Sequence, residues 1–123
     1  MKKEEHTEQC IFLDWFKENH PGIFIYAIPN GGHQINRLNW YIKEGMVPGM
    51  PDLHIPEWNL WIEMKSFRGA LKDNQKKVLE RLAAINHNII VAYGWQDAVL
   101  KITTFTTTPE LRPFRGLEHP TIL

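Results

Sequence analysis

The sequence predicts an α/β domain in which a mixed β-sheet is flanked by helices. Amphipathic helical segments alternate with short apolar strands in the order α-β-α-β-β-α-β-α. One of these strands, Ile89–Tyr93, is continuously apolar, as is typical of a strand covered on both faces. Because 123 residues suffice for one compact domain with one core, we expect a single domain over residues 1–123.

Three elements are predicted in the first part of the chain. Lys3–Asn19 has apolar residues at helical spacing and ends at His20-Pro21-Gly22, which cannot continue a helix. Ile23–Pro29 is rich in aromatic and branched residues and is therefore predicted to be a strand. Arg37–Glu44 is predicted to be a short helix with Gly45 as its C-terminal cap.

A β-hairpin is predicted next, because Asp52–Ile55 and Leu60–Lys65 have strand composition and four residues connect them. The segment Lys72–Ile85 follows with the spacing of a helix, and Asn86-His87-Asn88 offers the left-handed residue that would end it.

The last helix is predicted to run from Trp95 to about Thr103. Residues 104–123 contain three prolines and no clear period, so we expect an irregular tail.

Composition restricts the classes of function. Hydrophobic residues at 43% and charged residues at 23% are ordinary for a globular protein. The formal charge of zero means that any DNA-binding surface must be a local patch. The single cysteine, Cys10, excludes an intramolecular disulfide. No segment has the pattern of a signal peptide or a membrane helix, so we expect a cytoplasmic protein without a membrane partner.

Two carboxylates are predicted to face each other in the hairpin. Strand alternation places Glu63 and Lys65 on one face, and pairing of Ile55 with Leu60 would set Asp52 opposite Glu63. Opposed carboxylates repel unless a cation compensates, and carboxylates suit Mg²⁺, with Mn²⁺ as a substitute. The alternative is that the charges form a solvated, ion-paired outer strand face.

The motifs around this pair resemble a known family. Pro51-Asp52 followed by Glu63-Met64-Lys65 matches the Pro-Asp…(Asp/Glu)-x-Lys signature of the restriction-endonuclease-like superfamily. With Asn30-Gly31-Gly32, the Gly45-x-x-x-Gly49-x-Pro51 run and Gln75, the order and spacing resemble the virus-type replication-repair nuclease (VRR-Nuc) family over about residues 4–103. The resemblance implies a restriction-endonuclease-like core and a metal-dependent DNA endonuclease.

The resemblance also implies the members of the site. It assigns Glu8, Asp52, Glu63 and the Met64 carbonyl to the metal, and Lys65 and Gln75 to the attacking water. Glu8 shares a helix face with Ile11, Phe12 and Trp15, yet Glu4 and Glu5 are rivals for its role, and Glu8 could instead be surface charge. The alternative for Gln75 is an amide bonded to backbone.

DNA contacts are expected at two places. The bare backbone of Asn30, Gly31 and Gly32 could approach a phosphate, with Arg37 on the next helix, although a plain turn is the alternative. A second set of cations lies around the start of the helix that follows the predicted strand Leu60–Lys65: Arg68, Lys72, Lys76 and Lys77. A solvated helix face explains these residues equally well.

The resemblance implies branched DNA, such as a Holliday junction, as the substrate. Because one active site per chain cuts two strands most simply as a two-fold pair, we expect a homodimer. The alternatives are a DNA-binding module of the same fold without catalysis, and a flap-specific or single-strand-specific nuclease. A carboxylate-pair hydrolase acting on sugars is less consistent with directly opposed strand carboxylates and a lysine.

Overall fold

The computed structural model, which describes residues 3–29 and 37–108, has an α/β fold built on a mixed four-stranded sheet. The first three strands pair antiparallel, and the fourth joins the third in parallel. They lie side by side in the order β1 (Tyr26–Ala27), β2 (Leu53–Ile55), β3 (Leu60–Lys65) and β4 (Asn88–Tyr93). The predicted α/β class and mixed sheet are therefore confirmed.

The helices also follow the predicted order. They are α1 (Lys3–Asn19), α2 (Leu38–Lys43), α3 (Asp73–Ala84) and α4 (Trp95–Thr107). The predicted left-handed residue after α3 is Asn86, with a φ of 74°. A left-handed asparagine ends the helix without a glycine because its short polar side chain tolerates this conformation.

The predicted hairpin register is confirmed. Ile55 lies opposite Leu60, and Leu53 lies opposite Ile62. The connection is a 3-10 turn, Pro56–Trp58, followed by Asn59 in the left-handed conformation. This register determines which side chains of β2 and β3 share a face, and so it also determines where the carboxylates meet.

Two hydrophobic cores cover the two faces of the sheet. One core joins α1 and α4 to the sheet through side chains that are fully buried, among them Phe12, Phe16, Ile62, Met64, Ile90 and Phe105. The other core packs α3 on the opposite face through Trp61, Leu79, Ala83 and Ile89. Strand β4 contributes to both, as its continuous apolar sequence predicted.

The first strand is shorter than predicted. Instead of Ile23–Pro29, only Tyr26–Ala27 pairs with β2, which itself has three residues. The physical reason is that a side chain replaces a neighbouring strand as the hydrogen-bond partner. The N–H of Phe24 donates to Glu57 Oε1 at 2.6 Å. Ile28 continues the contact by donating to the backbone oxygen of Asp52 at 2.8 Å.

The last helix is longer than predicted, so the expectation of an irregular chain from residue 104 was wrong for residues 104–107. Burial of Ile102 and Phe105 at helical spacing extends the apolar face by a turn. The threonines that hid this period bond to the helix itself, as when the Thr106 hydroxyl donates to the oxygen of Ile102 at 3.0 Å.

Part of the predicted chain lies outside the described residues, namely Asn30, Gly31 and Gly32 and the tail from residue 109 onward. Within residues 3–29 and 37–108, none of the helices combines the length and apolar character needed to cross a membrane.

Candidate active site

Three charged side chains are buried together where β2 begins and β3 ends. The solvent-exposed fraction is 8% for Asp52, 2% for Glu63 and 4% for Lys65. Charged groups are seldom buried to this extent unless they are paired or bind an ion, because removing them from water is costly. A solvated outer strand face, the alternative for Glu63 and Lys65, is therefore excluded by their burial.

A hydrogen bond fixes Asp52 beside β3. Its Oδ2 accepts the backbone N–H of Met64 at 2.8 Å. The side chain of Met64 lies in the core shared with α1 and α4, so this residue offers the site only its backbone. Because Glu63 directly precedes Met64 in the chain, the bond holds the Asp52 carboxylate close to Glu63.

The Glu63 carboxyl group lies in an environment that disfavours its charge. Burial, a hydrogen bond with the Asp52 carboxyl group and the negative charge of Asp52 together raise the pKa of Glu63 to about 10. Lys65 opposes this shift, and Glu5 adds to it. One oxygen, Oε2, is buried without a hydrogen-bond partner among residues 3–29 and 37–108. A buried acceptor without a donor is the kind of atom that a cation would satisfy.

Lys65 forms an ion pair with Glu5, an acidic residue of α1. Lys65 Nζ lies 3.9 Å from Glu5 Oε1, and both side chains are largely buried. Glu5 also contributes its charge to the environment of Glu63. The structure thus brings Glu5 to the group formed by Asp52, Glu63 and Lys65.

Glu8 occupies a different position, at the start of α4. Its Oε2 accepts the backbone N–H of Trp95, the first residue of α4, at 2.9 Å. Gly94, which precedes the helix, has no side chain to cap it, so Glu8 supplies this acceptor from α1. A carboxylate is also favoured there by the helix dipole.

The difference between these two acids could have been found in the sequence. Ile11 and Trp15 entered the predicted apolar face, yet Ile11 is exposed, and the fully buried residues of α1 are Phe12 and Phe16. Glu5 precedes them by seven and eleven positions, which are both close to whole numbers of helical turns. The stripe of the largest buried side chains therefore indicates Glu5.

Gln75 lies in the first turn of α3, and its Oε1 accepts the backbone N–H of Lys72 at 2.8 Å. This is the backbone bond that was the alternative to a catalytic role, and it is the bond that the N3 residue makes in a capping box at the start of α3. The same turn lies against Gly49, where an added Cβ would be 2.8 Å from the Asn74 oxygen. Gly49 thus permits the approach of α3 to the segment before Asp52.

The predicted DNA contacts that the structure describes are exposed. The guanidinium of Arg37 lies 4.9 Å from the centre of the Trp40 ring. Arg68 lies just after β3, and Lys72 and Lys76 lie at the start of α3. Within residues 3–29 and 37–108, ion pairs join Lys65 to Glu5 and Lys101 to Asp97, so these exposed cations have no carboxylate partner there.

Comparison with known proteins gives one match by structure. No protein-family profile and no curated protein sequence matches the chain. A solved structure described as a VRR_NUC domain protein aligns with a TM-score of 0.71 at 22% identity, over 98% of this chain and 100% of that chain. The chain has the VRR_NUC fold. Within this fold, the buried charged group lies at the end of the hairpin.

The chemistry of the oxygen donors fits a hard divalent cation. Asp52 and Glu63 offer carboxylate oxygens, of which Glu63 Oε2 has no hydrogen-bond partner in the described part of the chain. Among the described residues, no three His, Cys, Asp or Glu side chains form a ready metal cage. Magnesium does not need one, because it commonly uses one or two carboxylates and takes its remaining ligands from water and phosphate.

Proposed function

We propose that this protein is a metal-dependent nuclease that hydrolyses phosphodiester bonds in DNA. The observation that carries the proposal is the unpartnered Oε2 of Glu63, a nearly fully buried carboxyl group beside Asp52 and Lys65. A fold shared with a VRR_NUC domain protein supports the same reading. Resemblance to the VRR-Nuc family accounts for the order of these residues in the chain.

Asp52, Glu63 and the Met64 carbonyl would hold Mg²⁺, for which Mn²⁺ would substitute. When bound, the cation would polarise the phosphate and make a water molecule more acidic. The role of Asp52 is to present a carboxylate that its bond to the Met64 N–H has already oriented. Glu63 would release its proton to solvent when the cation binds, because the positive charge would outweigh the burial and the negative charge of Asp52 that raise its pKa.

Lys65 would face the phosphate and its attacking water. Its ammonium group would offset the negative charge that develops on the phosphate oxygens in the transition state. Burial of Lys65 to 4% exposure strengthens this interaction, since water screens it little. The pairing with Glu5 at 3.9 Å limits where the ammonium can lie.

The acidic residue of α1 that serves the site is, in this proposal, Glu5 instead of Glu8. Glu5 lies beside Lys65 and acts on Glu63, whereas the Glu8 carboxylate is engaged by the N–H of Trp95. Gln75 would contribute through its amide group, since its Oε1 is used by Lys72.

The proposed substrate is branched DNA such as a Holliday junction, cut by a homodimer. The neutral chain cannot attract DNA by overall charge, so binding would rely on the exposed cations next to the site: Arg68, Lys72 and Lys76. A two-fold pair would bring two sites to two strands of a junction.

Labelled junction, flap, single-stranded and linear duplex DNA, incubated with the protein and Mg²⁺ or with EDTA, would test the proposal. We expect cleavage that requires the cation and is lost in Lys65→Ala. The matched control is Lys17→Ala, which removes an exposed lysine at the end of α1 and should leave cleavage unchanged.

Each result has a defined meaning. Cleavage that survives both EDTA and Lys65→Ala would contradict the proposed site. Binding without any cleavage would indicate a DNA-binding module of this fold. Cleavage restricted to flaps or single strands would replace the junction as the substrate, and sedimentation of a monomer on the junction would contradict the dimer.

A further inference from the structure

A continuous row of rings crosses the sheet on the face that carries the proposed site. The rings of Phe24 and Tyr26 stack with centres 5.3 Å apart, and Tyr26 meets the edge of His54 at 5.3 Å. His54 in turn stacks on Trp61 at 3.9 Å with an angle of 17° between the planes. The row thus runs from the edge strand β1 into the middle of the sheet.

Hydrogen bonds fix the row at both ends. The Tyr26 hydroxyl lies 2.7 Å from His54 Nδ1, and Trp61 Nε1 donates to His87 Nδ1 at 2.8 Å. The backbone of Phe24 is held by Glu57, which lies just before β3. Rings that are ordered in this way lose little conformational entropy when another ring packs on them.

The row lies on the same face of the sheet as the acidic pair. His54 follows Asp52 by two residues and Trp61 precedes Glu63 by two, so alternation places all four on one face. Tyr26 is the cross-strand neighbour of His54. On β1 the position that faces Asp52 is Ile28, so Tyr26 and Phe24 lie two and four residues away from it, or ~6.6 and ~13 Å at ~3.3 Å per residue. With ~4.8 Å between neighbouring strands, Phe24 is ~14 Å from Asp52, the length of a few nucleotides of one DNA strand at ~3.4 Å each.

The outer end of the row is exposed. The solvent-exposed fraction is 60% for Phe24 and 38% for Tyr26, whereas it is 9% for Trp61. An aromatic side chain covers 150–250 Å² when it is buried, so these two together expose on the order of 200 Å². A stable protein partner needs roughly 800 Å² on each side, so the area suits one planar base far better than a second protein.

We propose that Phe24 and Tyr26 form a stacking surface for one unpaired base of the DNA, a few nucleotides from the phosphate that is cut. The proposal rests on the proposed nuclease function and deepens it, because it assigns to the substrate an unpaired nucleotide at this point. Aromatic rings stack on any base, so the surface would select for unpaired structure without selecting for sequence.

The test uses DNA that contains 2-aminopurine, a fluorescent base whose emission falls when it stacks on another ring. Wild-type protein is mixed in EDTA with a branched duplex that carries this base unpaired at the branch, and with a fully paired duplex of the same sequence. We expect quenching and tighter binding with the unpaired base.

The variants separate the ring from the rest of the surface. Phe24→Leu keeps an apolar side chain without a ring, and we expect it to lose the quenching and to weaken binding of the unpaired substrate about 5- to 100-fold. Phe24→Trp should restore both. The matched control is Leu100→Ala, which removes an apolar side chain with 64% exposure on α4 and should change neither. Thermal unfolding checks that each variant is folded.

Three results would overturn the proposal. One is that Phe24→Leu quenches and binds like wild type, and another is that it weakens paired and unpaired substrates equally. The third is that Phe24→Leu changes the sedimentation coefficient, which would assign the surface to a second copy of the chain. All three leave cation-dependent cleavage by wild type and its loss in Lys65→Ala untouched, so the proposed function is judged separately.

Discussion

Asp52 Oδ2 accepts the backbone N–H of Met64 at 2.8 Å, and this bond ties the start of β2 to the end of β3 at the acidic pair. Asp52 cannot turn away from Glu63 without leaving the Met64 N–H unsatisfied. An unsatisfied buried donor costs about 1–3 kcal/mol, so the repulsion between the two carboxyl groups is built into the hairpin. In the proposed enzyme a cation or a proton must relieve it.

The first prediction concerns Glu63→Gln and pH. In the folded chain Glu63 keeps its proton up to a pKa of about 10, whereas in the unfolded chain it ionises above 4.5. Between these values the unfolded state binds fewer protons, so the Glu63 contribution makes the metal-free protein less stable as pH rises. Glutamine resembles the protonated acid and does not titrate. We therefore expect Glu63→Gln to be the more stable protein at about pH 8 without metal.

Urea unfolding from acidic to alkaline pH in EDTA measures this difference, and Glu80→Gln, on the exposed face of α3, is the control. Adding Mg²⁺ should raise the unfolding free energy of wild type, because a ligand stabilises the folded state that binds it. It should leave that of Glu63→Gln almost unchanged, because this variant lacks one of the proposed metal ligands. A wild-type curve parallel to that of Glu63→Gln would show that Glu63 is ionised without metal.

The second prediction separates Glu5 from Glu8. Glu8→Ala removes the acceptor for the Trp95 N–H and should lower the unfolding free energy by about 0.5–2 kcal/mol, as loss of a helix cap does. Glu5→Gln should change stability less than Glu8→Ala does, because the glutamine amide still offers an oxygen to Lys65 at the position of the Glu5 carboxylate. Its effect should fall on Mg²⁺ binding and on cleavage.

Calorimetric titration with Mg²⁺ and thermal unfolding distinguish these roles in the same samples. Glu4→Gln, on the exposed side of α1, is the control for the removal of one negative charge. If Glu8→Ala weakened metal binding while Glu5→Gln did not, the assignment of the α1 carboxylate to Glu5 would be reversed.

The hairpin and its polar residues could be predicted from the sequence because period-two alternation and a fixed turn length leave one register. The pairing of Ile55 with Leu60 followed from that argument, and it places Asp52 and Glu63 at the same end. Strand β4 was predictable for a similar reason, since its apolar run has no polar face to expose.

The roles of Glu8 and Gln75 stay predictions, and the sequence left them open because the buried face of a helix depends on what packs against it. Ile11 and Phe12 look equally apolar in sequence, but α4 and the sheet bury only Phe12, so the face rotates from Glu8 toward Glu5. The capping bond of Gln75 and the support of Phe24 by Glu57 depend on backbone positions that no periodicity encodes.

The third prediction compares two glycines with the same backbone requirement. Gly49 and Gly45 have φ values of 91° and 106°, so alanine is strained at both by about 1–2 kcal/mol. A Cβ at Gly45 meets nothing within 4 Å, whereas a Cβ at Gly49 would lie 2.8 Å from the backbone oxygen of Asn74. Gly49→Ala must therefore also move α3 away from the segment that leads to Asp52.

We expect Gly49→Ala to lower the unfolding free energy by at least 1 kcal/mol more than Gly45→Ala does, an overpacking cost added to the backbone cost. Urea unfolding measures both. Cleavage by folded Gly49→Ala protein should also fall, because the position of Asp52 changes with that segment. Equal losses of stability in the two variants would mean that α3 does not press on Gly49.

The fourth prediction tests the last turn of α4, which the sequence did not reveal. Phe105 is fully buried, as are Phe12 and Phe16 in the same core, and its ring contacts the partly buried Trp58, although it lies among threonines that disfavour a helix. Removing a buried phenylalanine costs about 3–5 kcal/mol, because apolar contact is lost and a cavity remains. Phe105→Ala should therefore unfold at much lower urea concentration than wild type, while Leu100→Ala, exposed on the same helix, should stay within about 0.5 kcal/mol. If both variants unfolded alike, residues 104–107 would belong to the irregular tail, and α1 would pack against a helix that ends one turn earlier.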